Sequence, residues 1–241
     1  MASSQKHKKH QDFGIILDTG TEIVEPISNE KLLGAKISNN FLWNLHIRDD
    51  EGSMFKSLTS KINALFKIST LASFKTRRMV ASGLILSTLS YIIQVYGGCS
   101  GYLLAMLQVL QNKAARCVTR LPWGTPISVL LKQCGWLSMN QLVVYHSLVL
   151  LFKTKMDKKP VYLYEHIGDQ PGRTTRQEAD RVGVHLLRDT RNFKTETAKK
   201  TFIPRAVQGW NNLPTSLREQ TSLVLFKKQL RLWTTENIQI K

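Results

Sequence analysis

The sequence predicts a mainly α-helical protein with a small N-terminal antiparallel β segment and a smaller helical unit at the C-terminus. Three observations lead to this fold class. Apolar residues recur at three- and four-residue steps through most of the chain after Gly52. Short apolar runs separated by turn residues occupy residues 12–40. Finally, 42% of the 241 residues are hydrophobic, which suffices for a sizeable core and excludes a disordered composition.

Composition and periodicity divide the chain into five segments. We predict a basic disordered arm at 1–11, a β segment at 12–50, a helical domain at 51–155, a linker at 156–175 and a smaller helical unit at 176–241. In the β segment, residues 13–17, 21–24 and 31–37 are the expected strands, and Asp18-Thr19-Gly20 is a turn signal between the first two.

The helical domain opens with an apolar stripe at Met54, Leu58, Ile62, Leu65 and Ile68, which share one face of a helix. Further helices are predicted over 75–96 and 101–120. No charged residue lies between 78 and 113, which exceeds the ~20 residues of a membrane span. Recurrent Ser and Gln, and the glycines at 97–101, favour two buried helices joined by a turn.

The later helices are marked by their capping residues. Thr125 and Pro126 fit the N-cap and first position of a short helix to about Cys134, and Ser138 opens a helix through Lys153. In the C-terminal unit, residues 198–210 and 222–233 have helical periodicity.

Charge is the strongest global property of the sequence. Lys and Arg number 34 against 17 Asp and Glu, a net charge of +17. The excess is spread over the chain, with 15 basic and 8 acidic residues up to Arg120 and 19 and 9 after it. Such an excess predicts a polyanionic partner, most often nucleic acid. A membrane surface, or a basic face that is merely solvated, gives the same signal.

Two basic clusters are the candidate binding residues. Lys113, Arg116 and Arg120 fall at i, i+3 and i+7 on one helix face. The second cluster, at the start of the preceding predicted helix, consists of Lys75, Arg77 and Arg78. If those helix ends meet, they form one surface for phosphates. The aromatic candidates for base stacking are Trp43, Trp123 and Trp136, each of which also fits a packing role.

Two motifs have the outline of a catalytic site. Asp49-Asp50-Glu51 is a carboxylate cluster, but no strand pattern follows it as a two-metal polymerase site requires, so a helix N-terminus is the favoured interpretation. Residues 97–101 fit a G-x-C-x-G nucleophile turn around Cys99, although a plain turn explains the glycines. The three cysteines show no metal-binding spacing, and no phosphate-binding glycine loop is present, so no cofactor is expected.

Several blocks, in order, resemble the C-terminal part of jockey-like non-LTR retrotransposon reverse transcriptases. The blocks are residues 31–37 (KLLGAKI), 43–47 (WNLHI), 107–116 (LQVLQNKAAR), 130–138 (LLKQCGWLS) and 206–214 (AVQGWNNLP). The resemblance implies that 12–50 is a remnant of the polymerase palm, that 51–155 is a thumb-like bundle, and that Leu33 and Gly34 lie near the primer end.

The resemblance also implies what this truncated copy does not contain. The paired-aspartate turn of the family, its upstream aspartate strand, the finger region and the main palm have no counterpart in this sequence, so the ligands for the family's Mg²⁺ are missing. We therefore expect a non-enzymatic, nucleic-acid-binding chain in the nucleus or cytoplasm, with RNA, DNA or an RNA–DNA duplex as partner. The missing palm and finger region is a further expected partner. We do not expect the chain to bind a membrane.

Three other interpretations of the sequence stay open. The helices could form a protein-interaction module whose charge serves solubility, the chain could retain enzymatic activity, or it could be a decayed retroelement fragment with no selected function.

Overall fold

The computed structural model describes residues 15–16, 23–24, 29–40, 42–169, 186–191 and 195–239. The predicted arm at 1–11 and the end of the predicted linker, 170–175, lie outside these residues. Within them the chain is mainly helical with a small antiparallel β segment near the N-terminus, which confirms the predicted fold class.

The described part of the β segment contains two separate pairs of antiparallel strands, the second of which is a hairpin. The strands are β1 (Ile15–Ile16), β2 (Ile23–Val24), β3 (Asn29–Leu32) and β4 (Ala35–Ser38), paired as β1 with β2 and β3 with β4. Leu33 and Gly34 form the tight turn of the second hairpin, with φ of +48° and +82°. The predicted single strand over 31–37 is therefore wrong, because two consecutive positive φ values reverse the chain in its middle.

The first helical layer follows this hairpin. It contains a π-helical turn (Leu45–Asp49), α1 (Met54–Ser69), α2 (Phe74–Ala81), a second π-helical turn (Ser82–Leu86), α3 (Ser87–Ser90) and α4 (Ile93–Tyr96). The buried face of α1 begins at Met54 and ends at Ser69, whereas Ile68 is 42% exposed. Ile68 falls about 80° from the centre of the buried stripe, at about 100° per residue, so its predicted place in the core is wrong.

The predicted helix over 75–96 is broken near its end. Ile92 has φ +47°, a left-handed conformation that β-branched residues rarely adopt. Two tyrosine hydroxyls donate hydrogen bonds around the break. Tyr91 bonds the carbonyl of Leu33 at 2.6 Å, and the fully buried Tyr96 bonds the carbonyl of Leu89. The break therefore ties the second hairpin to the helical layer.

Three longer helices complete the first core. They are α5 (Gly101–Thr119), α6 (Ile127–Cys134) and α7 (Met139–Asp157). Ser138 caps α7 as predicted and forms a reciprocal capping box with Gln141. Pro126, rather than Thr125, is the N-cap of α6, and α7 extends beyond the predicted Lys153.

The remaining elements form the C-terminal unit. They are α8 (Val161–Tyr164), β5 (Ile167–Asp169), β6 (Leu187–Asp189), α9 (Glu196–Lys199), α10 (Phe202–Asn211), α11 (Thr215–Arg218) and α12 (Leu223–Asn237). The described part of the predicted linker thus contains a helical turn and a strand. Antiparallel pairing of β5 with β6 holds this strand, and the Asn211 side chain exchanges two hydrogen bonds with the backbone of Leu187.

Two hydrophobic cores share helix α7. The first is built from the helices between residues 47 and 143, and the second from α7 and the C-terminal helices. In the second core Phe152 of α7 stacks on Phe226, with ring centroids 4.2 Å apart, beside the fully buried Trp210. Since α7 contributes apolar residues to both cores, the C-terminal unit packs on the same rigid helix that the first core uses.

Candidate nucleic-acid interface

The second half of α5 presents a row of cations outward. Ser100 caps the start of the helix, and Arg120 ends it in a left-handed conformation with φ +56°. Lys113 and Arg120 are exposed, and Arg116 is half-buried. The opposite face packs into the first core.

The length of this row matches a nucleic-acid strand. Residues 113 and 120 are separated by about 10 Å along the axis, at about 1.5 Å per residue. Phosphates of one DNA strand advance about 3.4 Å each along the duplex, so the row spans about three of them.

At the start of α2 the structure separates the three predicted cations. Lys75 and Arg78 are exposed, but Arg77 is only 7% exposed. Its guanidinium donates hydrogen bonds to the carbonyls of Val118 (2.8 Å), Ser69 (3.3 Å) and Ala72 (2.5 Å). Arg77 therefore binds the C-terminal carbonyls of two helices, where a cation is favoured by the helix dipole, and is not presented to a ligand.

The Arg77 bond to Val118 also shows that the start of α2 meets the end of α5. The two predicted clusters are thus brought to neighbouring helix ends. Arg78 acts electrostatically on α6 as well. Burial raises the pKa of the Cys134 thiol to about 11, and the positive charge of Arg78 works against that rise. We define Lys75, Arg78, Lys113, Arg116 and Arg120 as the cationic surface.

A stretch of sequence without acids surrounds the cationic surface, a signal that the sequence analysis missed. Residues 52–156 contain 12 Lys and Arg and neither Asp nor Glu. Among the described residues, no member of the cationic surface is in an ion pair. Its positive charge is therefore not neutralised by neighbouring carboxylates, and a polyanion can supply the missing counter-charge.

The two residues that the resemblance places near a primer end lie in the second hairpin. Leu33 and Gly34 form the tip of the second hairpin, where Leu33 is 81% exposed. Behind the tip lies a shallow cavity of about 370 Å³ that Tyr91 and His46 help to line. The tip contacts the break in the helical layer, where the Tyr91 hydroxyl donates a hydrogen bond to the Leu33 carbonyl.

The acidic cluster at 49–51 and the turn around Cys99 have structural roles in the fold. Asp49 pairs with Arg48 and Asp50 with Lys36, in the connection that leads into α1. Burial raises the pKa of the Cys99 thiol to about 11, which disfavours the thiolate that a nucleophile needs. Across the described ranges, no group of three or more His, Cys, Asp or Glu side chains is placed to hold a metal ion.

Among the described residues, no individual helix is both long and apolar enough to cross a bilayer. Helices α6 and α7 would be so only when taken together, and they are bent by 44° relative to each other.

Comparisons with known proteins give no match to this chain. No protein-family model, no curated protein and no solved structure matches the chain. The likeness to reverse transcriptases therefore depends on the ordered blocks of its own sequence, and the interface depends on the geometry of the cationic surface.

Proposed function

We propose that the chain is a non-catalytic nucleic-acid-binding part of a non-LTR retrotransposon reverse transcriptase, corresponding to the end of the palm, the thumb and the C-terminal tail. Its partner is RNA, DNA or an RNA–DNA duplex, bound in the nucleus or cytoplasm. The observation that carries the proposal is the cationic surface, whose members lie along the second half of α5 and at the start of α2, within a stretch of sequence that contains no acid.

The proposed mechanism is contact with the phosphate backbone. Lysine and arginine side chains displace the cations condensed on the nucleic acid, and the release of those ions drives binding. Phosphates are the same at every base, so the cationic surface itself gives little sequence preference.

A filter-binding series across salt concentrations tests this mechanism. If all five members of the cationic surface contact phosphates, the logarithm of the affinity for a duplex falls with a slope of about −4.5 against the logarithm of the salt concentration. Affinity then drops about 500-fold between 50 and 200 mM salt. A flat series, or no binding at low salt, would contradict the proposal.

A charge-removal variant tests whether the contacts occur at this surface. The double variant Lys113→Gln with Arg120→Gln removes two phosphate contacts. Its affinity for the duplex should then drop only about 40-fold between the same two salt concentrations. The matched control, Lys153→Gln with Lys228→Gln, removes the same charge from exposed lysines on α7 and α12. An equal change in both variants would mean that net charge, rather than this surface, governs binding.

The proposal also states that the chain does not polymerise. The acids at 49–51 lead into α1, and two of them pair with basic neighbours rather than facing each other across a strand turn. A primed template supplied with Mg²⁺ and nucleotides should show no extension. Any template-dependent extension would overturn this part of the proposal.

A protein-interaction module is the second candidate function, because large apolar side chains are exposed around the α1–α2 connection. Phe66 is 66% exposed, Leu71 93% and Met79 68%. Exposed apolar groups that lie together often mark association sites. Sedimentation separates the candidates, since self-association without nucleic acid favours the interaction module and a mass increase only with RNA favours binding.

A further inference from the structure

Trp123 is the one of the three candidate stacking residues that the structure exposes. Trp136 is 7% exposed, and Trp43 packs against the first core. Trp123 by contrast is 80% exposed, in the connection between α5 and α6. Its position is three residues after Arg120, directly beyond the end of the cationic row on α5.

The indole of Trp123 is held by the cationic surface. Arg116 donates a hydrogen bond to the Trp123 carbonyl at 2.8 Å, and its guanidinium carbon lies 4.8 Å from the centroid of the indole ring. The connection is further fixed by a backbone bond from Thr125 to the carbonyl of Pro122 at 3.0 Å. One face of the ring is therefore positioned against a cation. The high exposure of the side chain requires that the other face is open.

A flat aromatic face beside a row of phosphate-binding cations has the chemistry of a base-stacking site. Every nucleobase has a π-face, so stacking on an indole tolerates any sequence. Bases inside a duplex already stack on their neighbours, and contact with a side chain would cost them a few kcal/mol of pairing and stacking, a cost that an unpaired base largely avoids. The cations alone cannot make this distinction, because single and double strands both carry phosphates.

We propose that Trp123 stacks on an unpaired base of the strand whose phosphates are held by Lys113, Arg116 and Arg120. The inference rests on the proposed function and extends it. It names single-stranded nucleic acid, or a duplex with an overhang, as the preferred ligand of this surface. Arg116 has two roles, since it binds the strand and also orients the indole.

The test measures the affinity of the full chain for two ligands at constant salt. One is a mixed-sequence single-stranded 12-mer, and the other is the blunt 12-base-pair duplex of the same sequence. Trp123→Ala is expected to lower affinity for the single strand by about 5- to 150-fold. Affinity for the blunt duplex stays within twofold, and the salt slope is unchanged because no cation is removed. Trp123→Phe keeps an aromatic face and should recover at least half of the loss on a logarithmic scale.

Two controls show whether a loss comes from stacking. Tyr162→Ala removes a 66% exposed aromatic side chain outside this surface and should leave both affinities unchanged. The thermal midpoint of Trp123→Ala should match that of the parent, since the side chain is largely exposed. Tryptophan fluorescence provides a second readout. The single strand should quench the emission of the parent protein, and Trp123→Phe should abolish that quenching.

The outcomes distinguish this inference from the proposed function. If the parent binds neither ligand at low salt, phosphate binding itself is refuted. If it binds both ligands with a steep salt slope and Trp123→Ala changes neither affinity, or lowers both equally, stacking is refuted and the proposed function stands. Quenching that is undiminished in Trp123→Phe, which keeps the other four tryptophans, also refutes stacking.

Discussion

Arg77 and Arg78 are adjacent in the sequence, and we predict that they have opposite roles. Arg77→Met should destabilise the fold, because two buried carbonyls at helix ends, those of Val118 and Ser69, and the half-buried carbonyl of Ala72 lose their shared donor. Arg78→Met should leave stability within about 0.5 kcal/mol, as expected for an exposed site, and should instead weaken nucleic-acid binding.

The size of the Arg77 effect follows from its hydrogen bonds. Leaving a buried acceptor without a partner costs about 1–3 kcal/mol. The lower value of about 1 kcal/mol applies to each of the two buried carbonyls, because removing a buried guanidinium also removes its desolvation cost. The total of about 2 kcal/mol is a large share of the roughly 5–15 kcal/mol that stabilises a typical domain. For a chain of this length it corresponds to a fall of about 4–8 °C in the thermal midpoint.

Urea unfolding followed by circular dichroism measures this difference. The midpoint of Arg77→Met should fall by about 0.7 M at unchanged slope, since m is about 3 kcal/mol per molar for larger domains. Arg77→Lys should recover little, because one ammonium cannot reproduce the fork that reaches three carbonyls. If Arg77→Met and Arg78→Met unfold at the same urea concentration, the structural role assigned to Arg77 is refuted.

Three further predictions concern a thiol, a titration and a close contact. Since burial raises the pKa of Cys99 to about 11, its alkylation by iodoacetamide at pH 8 should be about 100-fold slower in the native than in the urea-unfolded protein; equal rates by mass spectrometry would contradict this. Burial lowers the pKa of His46 below 6.5, so the unfolded state binds more protons. The free energy of unfolding should therefore fall as the pH drops from about 7 to 5, and His46→Gln should flatten that fall in urea titrations. Gly98→Ala places a Cβ 2.0 Å from the carbonyl oxygen of Lys200, whereas Gly83→Ala meets nothing within 4 Å. Of the two variants, only Gly98→Ala should destabilise the fold, by about 1–3 kcal/mol as measured in thermal melts.

The helices were predictable because their signals are local. The three-and-four spacing of apolar residues, together with serine caps before α5 and α7, determines where a helix starts and which face is apolar. The α-helical period alone also placed Lys113, Arg116 and Arg120 on one face, and the structure has them on the outward side of α5.

Other features of the site depend on contacts between distant residues, which a local pattern does not contain. Arg77 is buried because it packs against the end of α5. Its partner there, Val118, is 41 residues away in the sequence, so no local pattern predicts this contact. The break at Ile92 arises where the chain must turn α4 against α7, a contact that no spacing in 75–96 indicates. Trp123 and Trp136 flank the same short helix, yet one is exposed and the other buried.

The helical class, the large positive charge and the row of cations on α5 follow from the sequence, because composition and a 3.6-residue period are properties of the chain alone. Which cations and aromatic groups face outward follows from the packing of the fold. Exposure depends on what packs over a side chain, and the partners that cover Arg77 and Trp136 come from other elements of the fold.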